Sequence, residues 1–389
     1  MSLLGAPLLA LLAVLAVGLP LATWVLWSRW RGPRPVRTLQ RLVSILLCQV
    51  SAVVLVAAAI NDYGYFYASW SDLFGGSTSN GRIVHIVAHH SGRTGVSATG
   101  ASIFTPGEPQ PAGVTHVHVD ASWSTPAQWA TKGRVESLTI SGPRSLLSAP
   151  AIVYLPPQYF QPAWAHRLFP AVEAITGYPG DERNLVNRLD YPDTLLKEMS
   201  AHRAHPMVLV FLRPTVAPPR DTECTDVPNG PQALTYLSQD VPDALRHLLR
   251  LRPLGWGAIG ESTGGYCAAK LAMMHSDTFT SAVSLSGYFI TLHDRTTGDL
   301  WGGSTVLRNL NDLQWRVTHL PQPPISLLAT MSRQEPGVTG FDGLRKFLSA
   351  ARSPMQVDAL IVDQGGHNFS TWGAQLPQSL DWLSSHLHA

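Results

Sequence analysis

The residues able to do chemistry gather at Trp256–Ala269, which reads W-G-A-I-G-E-S-T-G-G-Y-C-A-A. Gly260, Glu261, Ser262, Thr263 and Gly264 make a G-x-S-x-G box. It is entered from the buried-strand pattern of Ala258 and Ile259 and left by the helical stretch A-A-K-L-A-M-M-H. Strand, sharp turn and helix is the setting that pushes a serine hydroxyl out to where a base can reach it. At the helix start the backbone N–H of Thr263 can face a developing oxyanion. The chemistry this predicts is nucleophilic attack by Ser262; the competing reading is a structural turn.

A serine hydroxyl is a weak nucleophile until a base takes its proton, and the base needs a third group to orient it. His367, in I-V-D-Q-G-G-H-N-F-S-T-W, follows a strand pattern, and the two glycines before it let the loop approach another backbone. His386 and His388, at the end of a terminal helix, have nothing beside them that points to chemistry. The acid is expected just after the strand Ile325–Thr330, because catalytic groups collect at the carboxyl ends of parallel strands. Glu335, in M-S-R-Q-E-P-G, has that place. Asp342 and Asp363 are the alternatives, and Asp363 shares the strand that already delivers His367. The second oxyanion donor is expected in the loop after Phe169–Thr176. Pro179 has no N–H, so the candidate is the backbone of Tyr178, with an ordinary strand-to-loop turn as the alternative.

These groups need a frame. Strand patterns at Ser137–Ser141, Ala151–Leu155, Phe169–Thr176, Pro206–Leu212, Ser281–Ser286, Ile325–Thr330 and Val357–Val362 alternate with helical stretches such as Gln232–Arg250 and Gln378–Leu387. That alternation predicts an α/β fold with a mostly parallel, doubly wound sheet wrapped by helices. The run Pro206–Leu212 is almost wholly apolar, as a strand covered on both faces must be.

The first sixty residues are of different material. Leu3–Trp27 and Leu42–Ile60 are uncharged and long enough to span a bilayer, the second near the minimum. Between them lie Arg29, Arg31, Arg34, Arg37 and Arg41 with no acidic residue, so the connecting loop is expected to stay cytoplasmic. Residues 1–60 then form a transmembrane helical hairpin whose ends both point outward. A cleaved signal peptide is the alternative, disfavoured because no basic region precedes the first apolar run. Asn61–Gly81, aromatic and then rich in Gly and Ser, reads as a juxtamembrane connector. Residues 61–133 as a whole read as that connector plus a small β-rich segment with strands at Arg82–Ala88 and Val114–Val119. Residues 134–389 read as the catalytic domain.

The 389-residue chain has 28 Lys and Arg against 26 Asp and Glu, a net charge of +2, which argues against nucleic acid as a partner. Its 3 cysteines are too few for a disulfide scaffold. His85, His89, His90, His116 and His118, with Asp120, form a histidine-rich group. On a strand His116, His118 and Asp120 would share a face, but the spacing matches no zinc pattern, and the solvated face of an edge strand is the plainer reading.

From about Arg134 onward the chain resembles the esterase D / antigen 85 branch of the α/β-hydrolases, which includes mycobacterial and corynebacterial mycolyltransferases. The stretches that carry the resemblance are V-E-A-I-T-G-Y-P-G (Val172–Gly180), D-T-E-C-T-D (Asp221–Asp226), G-E-S-T-G-G-Y-C-A (Gly260–Ala268), A-V-S-L-S-G-Y (Ala282–Tyr288) and G-G-H-N-F-S-T-W (Gly365–Trp372). The resemblance implies an α/β-hydrolase fold with Ser262 as nucleophile, His367 as base, Glu335 as acid, and the Thr263 and Tyr178 amides as oxyanion hole. Thr176-Gly177 stands where the family usually has His-Gly or Asp-Gly. The hairpin and residues 61–132 have no counterpart in the secreted mycolyltransferases. With the domain outside the cytoplasm, a Cys224–Cys267 disulfide is expected; two buried free thiols are the alternative.

Together these readings imply a membrane-anchored, extracytoplasmic serine esterase or acyltransferase acting on lipid or acyl esters, with water or a sugar hydroxyl as acceptor. No metal or organic cofactor is called for, and oligomeric state is left open. The rival from another class is a surface-binding, adhesin-like protein that keeps the fold without turnover.

Overall fold

The computed structural model describes residue 3 and residues 6–64, 66–74, 81–86 and 113–387. It divides into two compact units: Met1–Ser79 with Gln364–Thr371, and Asn80–Asp363 with Trp372–Ala389.

The first unit is built on two helices, Ala6–Leu26 (21 residues) and Arg34–Gly64 (31 residues). Both are long and apolar enough to cross a membrane. At 1.5 Å per residue the shorter one reaches about 31 Å, the thickness of a bilayer core. Leu21, Trp24, Val53 and Val56 are exposed on their surfaces. The pair is joined by Arg41, whose Nη2 donates to Trp27 O at 3.2 Å while its guanidinium stacks on the Trp27 ring. Beyond the second helix, Asn61 holds Tyr67 from both sides: its Oδ1 accepts from Tyr67 N (2.8 Å) and its Nδ2 donates to Tyr67 O (3.0 Å). Ser69 then caps a single helical turn, Trp70–Leu73, by accepting from Asp72 N.

The second unit is one ten-stranded sheet. Its strands are β1 (Arg82–Ile86), β2 (Gly113–Val119), β3 (Arg134–Ser141), β4 (Ser148–Leu155), β5 (Ala171–Ile175), β6 (Val208–Leu212), β7 (Trp256–Glu261), β8 (Phe279–Leu285), β9 (Ser326–Ser332) and β10 (Gln356–Val362). They lie in the order β1-β10-β9-β8-β7-β5-β6-β4-β3-β2. The run from β10 to β6 is parallel, and β1, β4, β3 and β2 are antiparallel to their neighbours. Every residue of β5, β6 and β7 is buried, which is why β6 reads as an unbroken apolar run, whereas β5 and β7 also bury Glu173 and Glu261. The two short strands at 82–86 and 113–119 take the opposite edges of this same sheet, where exposed, partly polar residues are tolerated.

The chain leaves β5 toward β6 on one side and returns to β7 on the other. Such a reversal opens a crevice at the carboxyl ends of the two strands, where ligands of open α/β sheets bind.

Two helical expectations are modified. Gln232–Arg250 is not one regular helix: a wide turn at Tyr236–Asp240 precedes Val241–Leu248. Pro242 has no N–H for the Ser238 carbonyl, so the ladder widens there. The last helix begins at Phe369, well before Gln378, and runs to His386 with Pro377 inside it. Asn368 starts it, its Oδ1 accepting from Thr371 N at 3.0 Å.

Candidate active site

Ser262 sits between β7 and the helix Thr263–Met274 with φ 56° and ψ −122°, a conformation side chains resist and sharp nucleophile turns impose. Its N–H donates to Leu285 O at 2.9 Å, fixing the turn against the end of β8. The helix packs so closely on β5 that a Cβ on Gly264 would stand 1.9 Å from Ile175 O. Only glycine fits there.

The loop after β5 passes directly over this turn. A Cβ on Gly177 would lie 3.0 Å from Ser262 Cβ and 3.6 Å from its Oγ. What holds the loop is Glu261, the residue before the serine. Its Oε1 accepts from Thr176 Oγ1 at 2.6 Å and from Gly177 N at 3.1 Å. Burial pushes the Glu261 carboxyl up to about 7, partly offset by those two hydrogen bonds. The Tyr178 amide follows immediately, and its phenol donates to Pro219 O at 3.1 Å, turned away along the loop.

Behind Thr263 lies a buried polar cluster. The Tyr288 hydroxyl donates to Glu223 Oε1 at 2.7 Å and stands 3.2 Å from Thr263 Oγ1. Leu292 N donates to Glu223 Oε2 at 3.2 Å. Lys270, wholly buried, donates to Glu223 O (3.0 Å) and Thr225 Oγ1 (2.8 Å). Burial raises Glu223 to about 8 and Asp221 to about 6, and drives Lys270 down to about 7. Glu223 and Cys224 both have positive φ, and Cys224 is bonded to Cys267 on the helix Thr263–Met274.

Glu335 lies after β9 and is buried. Its Oε1 accepts from Ser286 Oγ at 2.7 Å and Ser332 N at 3.3 Å. Ser286 follows Leu285, the residue that receives the Ser262 N–H, so Glu335 and the elbow meet neighbouring positions at the end of β8. Of the alternatives, Asp342 is exposed and accepts from Gly337 N within its own turn, and Asp363 is an exposed partner of Arg333 at 2.9 Å.

His367 is half-buried on the loop between β10 and the last helix, in the segment that belongs to the first unit. Within the second unit the structure therefore brings Ser262, Thr263 and the Gly177–Tyr178 loop together, with Glu335 nearby; His367 is carried by the other unit.

Among the described residues the histidine group does not gather. His85 Nδ1 lies 2.8 Å from Asp358 Oδ1 on the neighbouring strand, at the opposite edge of the sheet from His116 and His118. His116 has φ 55° at a bulge, so Thr115 and His118, paired with Thr139 and Ser137, face the same way, and the expected sharing of a face by His116 and His118 is lost. Asp120 lies past the strand end, its carboxyl lowered by a hydrogen bond from the Ser122 hydroxyl. His89, His90 and His388 are outside the described residues.

Sequence reasoning missed Glu261, Tyr288 and Lys270. The signal available was a charged residue at the end of an otherwise apolar buried strand, and a lysine inside the small-residue face of a helix.

A family model described as "Putative esterase" matches residues 148–383 of the chain. The MPT51 antigen of Mycobacterium leprae is 41% identical over 69 residues, which is 18% of this chain and 23% of that protein. Among solved structures, an S-formylglutathione hydrolase from Agrobacterium tumefaciens superposes with a TM-score of 0.57 at 14% identity, over 71% of this chain and 100% of that one. The Staphylococcus aureus fluorophosphonate-binding serine hydrolase FphF superposes with a TM-score of 0.52 at 17% identity, over 65% of this chain and 98% of that one. These likenesses carry the α/β-hydrolase fold.

Proposed function

The chain belongs to the esterase family, and from that premise we propose that it is a serine esterase or acyltransferase working through Ser262, His367 and Glu335. The observation that carries the reading is the strained Ser262 turn with the Gly177 loop laid against it. Ser262 Oγ attacks the ester carbonyl carbon while His367 takes its proton. The carbonyl oxygen becomes an oxyanion held by the Thr263 and Tyr178 N–H groups. Collapse expels the alcohol, which takes the proton from His367 and leaves an acyl-serine. Water, or another alcohol such as a sugar hydroxyl, then gives its proton to His367 and attacks the acyl carbon. As that intermediate collapses the bond to Ser262 Oγ breaks, His367 returns the proton to Oγ, and the acyl group leaves as acid or new ester. Glu335 orients the imidazole and stabilises its charged form.

The N-terminal helices anchor this domain in a membrane, with the arginine-rich loop inside and the catalytic part outside. The Cys224–Cys267 disulfide suits that oxidising side. An enzyme held at a bilayer is well placed for lipid or cell-envelope esters.

The test is a fluorophosphonate probe on the full chain in detergent, followed by p-nitrophenyl esters of graded length with and without trehalose. Labelling of wild type but not of Ser262→Ala supports the enzyme. No labelling and no ester turnover favours the surface-binding alternative. Acylated trehalose would identify transfer.

A further inference from the structure

We infer that the juxtamembrane segment 66–74 is a working part of the catalytic machinery, with Asp72 the positioning residue for the loop that carries His367. The inference rests on the assignment of His367 as the base. Gly365 and Gly366 precede the histidine, and Gly365 has φ 130°. The residue after the histidine, Asn368, is buried.

Each polar atom of the Asn368 carboxamide is engaged. Oδ1 accepts from Thr371 N at 3.0 Å, which starts the last helix. Nδ2 donates to the Phe66 carbonyl and lies 3.3 Å from Asp72 Oδ2 and 3.4 Å from its Oδ1, 296 residues away in the chain. Starting the helix needs only Oδ1. The Nδ2 contacts serve a different end, since they fix the side-chain plane of Asn368 and with it the backbone leaving His367.

The acceptor side is itself built. Asp72 is buried, and its Oδ2 also accepts from Ala68 N at 2.9 Å. Tyr67, between Phe66 and Ala68, is held by Asn61 near the end of the second apolar helix. Hydrogen bonds thus run from that helix through Asn61, Tyr67 and Asp72 to Asn368, beside the proposed base. The anchor does more than tether: the piece of chain leaving it sets where the imidazole stands.

Misplacing a catalytic group by about 1 Å can lower turnover by roughly a hundredfold. The experiment uses the full chain in detergent micelles and compares wild type, Asp72→Ala, Asp72→Asn and His367→Ala. Readouts are kcat and KM on a p-nitrophenyl ester, the rate of fluorophosphonate labelling, and Tm. Asp72→Ala is expected to lower kcat and labelling at least tenfold, with KM and Tm near wild type. Asp72→Asn keeps an acceptor oxygen for Asn368 and Ala68 and is expected to recover most of the activity. The inference is overturned if Asp72→Ala keeps wild-type kcat while His367→Ala is inactive, or if activity falls only in step with Tm. Activity in His367→Ala would instead overturn the base assignment, and this inference with it.

Discussion

The hydroxyl of Thr176 rests on the carboxyl of Glu261 at 2.6 Å, so the residue before Ser262 grips the residue that opens the facing loop. The two oxyanion donors proposed for the site, Thr263 N–H and Tyr178 N–H, come from different strands. This contact and the neighbouring Gly177 N–H to the same oxygen set the spacing between them.

Glu261 makes a pH-dependent prediction. Burial holds its carboxyl at about 7 against an ordinary 4.5, so the folded chain binds that proton more tightly than the unfolded one. Its contribution to stability is fully present below pH 4.5 and is lost as pH rises through about 7. Glu261→Gln keeps an acceptor for Thr176 and Gly177 but cannot ionise. Relative to wild type it should gain stability between pH 5 and pH 8, on the order of 3 kcal/mol at most. Urea midpoints at the two pH values measure this, and a difference that does not change with pH would refute it. Glu261→Leu, which releases the loop, should lower kcat by roughly tenfold or more.

Strain at Ser262 separates stability from activity. At φ 56° and ψ −122° a serine pays backbone energy that glycine does not. Ser262→Gly should therefore be inactive yet more stable than Ser262→Ala, by about 1 kcal/mol. Equal melting temperatures for the two variants would mean the turn is relaxed.

The elbow was legible in sequence because its glycines and its strand-to-helix context answer to local sterics, and the same holds for the strands delivering Glu335 and His367. Glu261 was not, because the position before the serine is unspecified in the pattern and its partners arrive from β5. The bulge at His116 escaped notice because nothing in G-V-T-H-V-H-V interrupts alternation; pairing with β3 does. The Asn368–Asp72 contact joins residues 296 apart, and only the folded chain brings an asparagine at a helix start to an aspartate in the turn after the second apolar helix.

The acid assignment is open to a direct comparison. Glu335 is buried and bonded to Ser286, whereas Asp342 and Asp363 are exposed and engaged on the surface. Glu335→Gln should lower kcat by roughly a hundredfold or more, since a base without its orienting carboxylate loses most of its effect. Asp342→Asn and Asp363→Asn should stay within about twofold, as exposed substitutions usually do. A collapse of kcat in Asp363→Asn with Glu335→Gln unaffected would move the acid to the strand of His367.

The cluster behind Thr263 yields a last expectation. The Tyr288 hydroxyl donates to Glu223, a bond that favours the charged carboxylate against the burial that raises it to about 8. Tyr288→Phe removes the donor, so Glu223 should become harder still to ionise. Below pH 8 the carboxyl is mostly neutral and the loss is small; above it, a charged buried group has lost a partner. The variant should therefore be destabilised more at pH 9 than at pH 6, the difference being about 1 kcal/mol, since pH 9 lies only one unit above that value. Denaturant unfolding at both pH values, with the Cys224–Cys267 bridge intact, measures it. A loss equal at both would mean Tyr288 acts through packing against Tyr266, whose ring it stacks on at 5.1 Å, and not through the carboxylate.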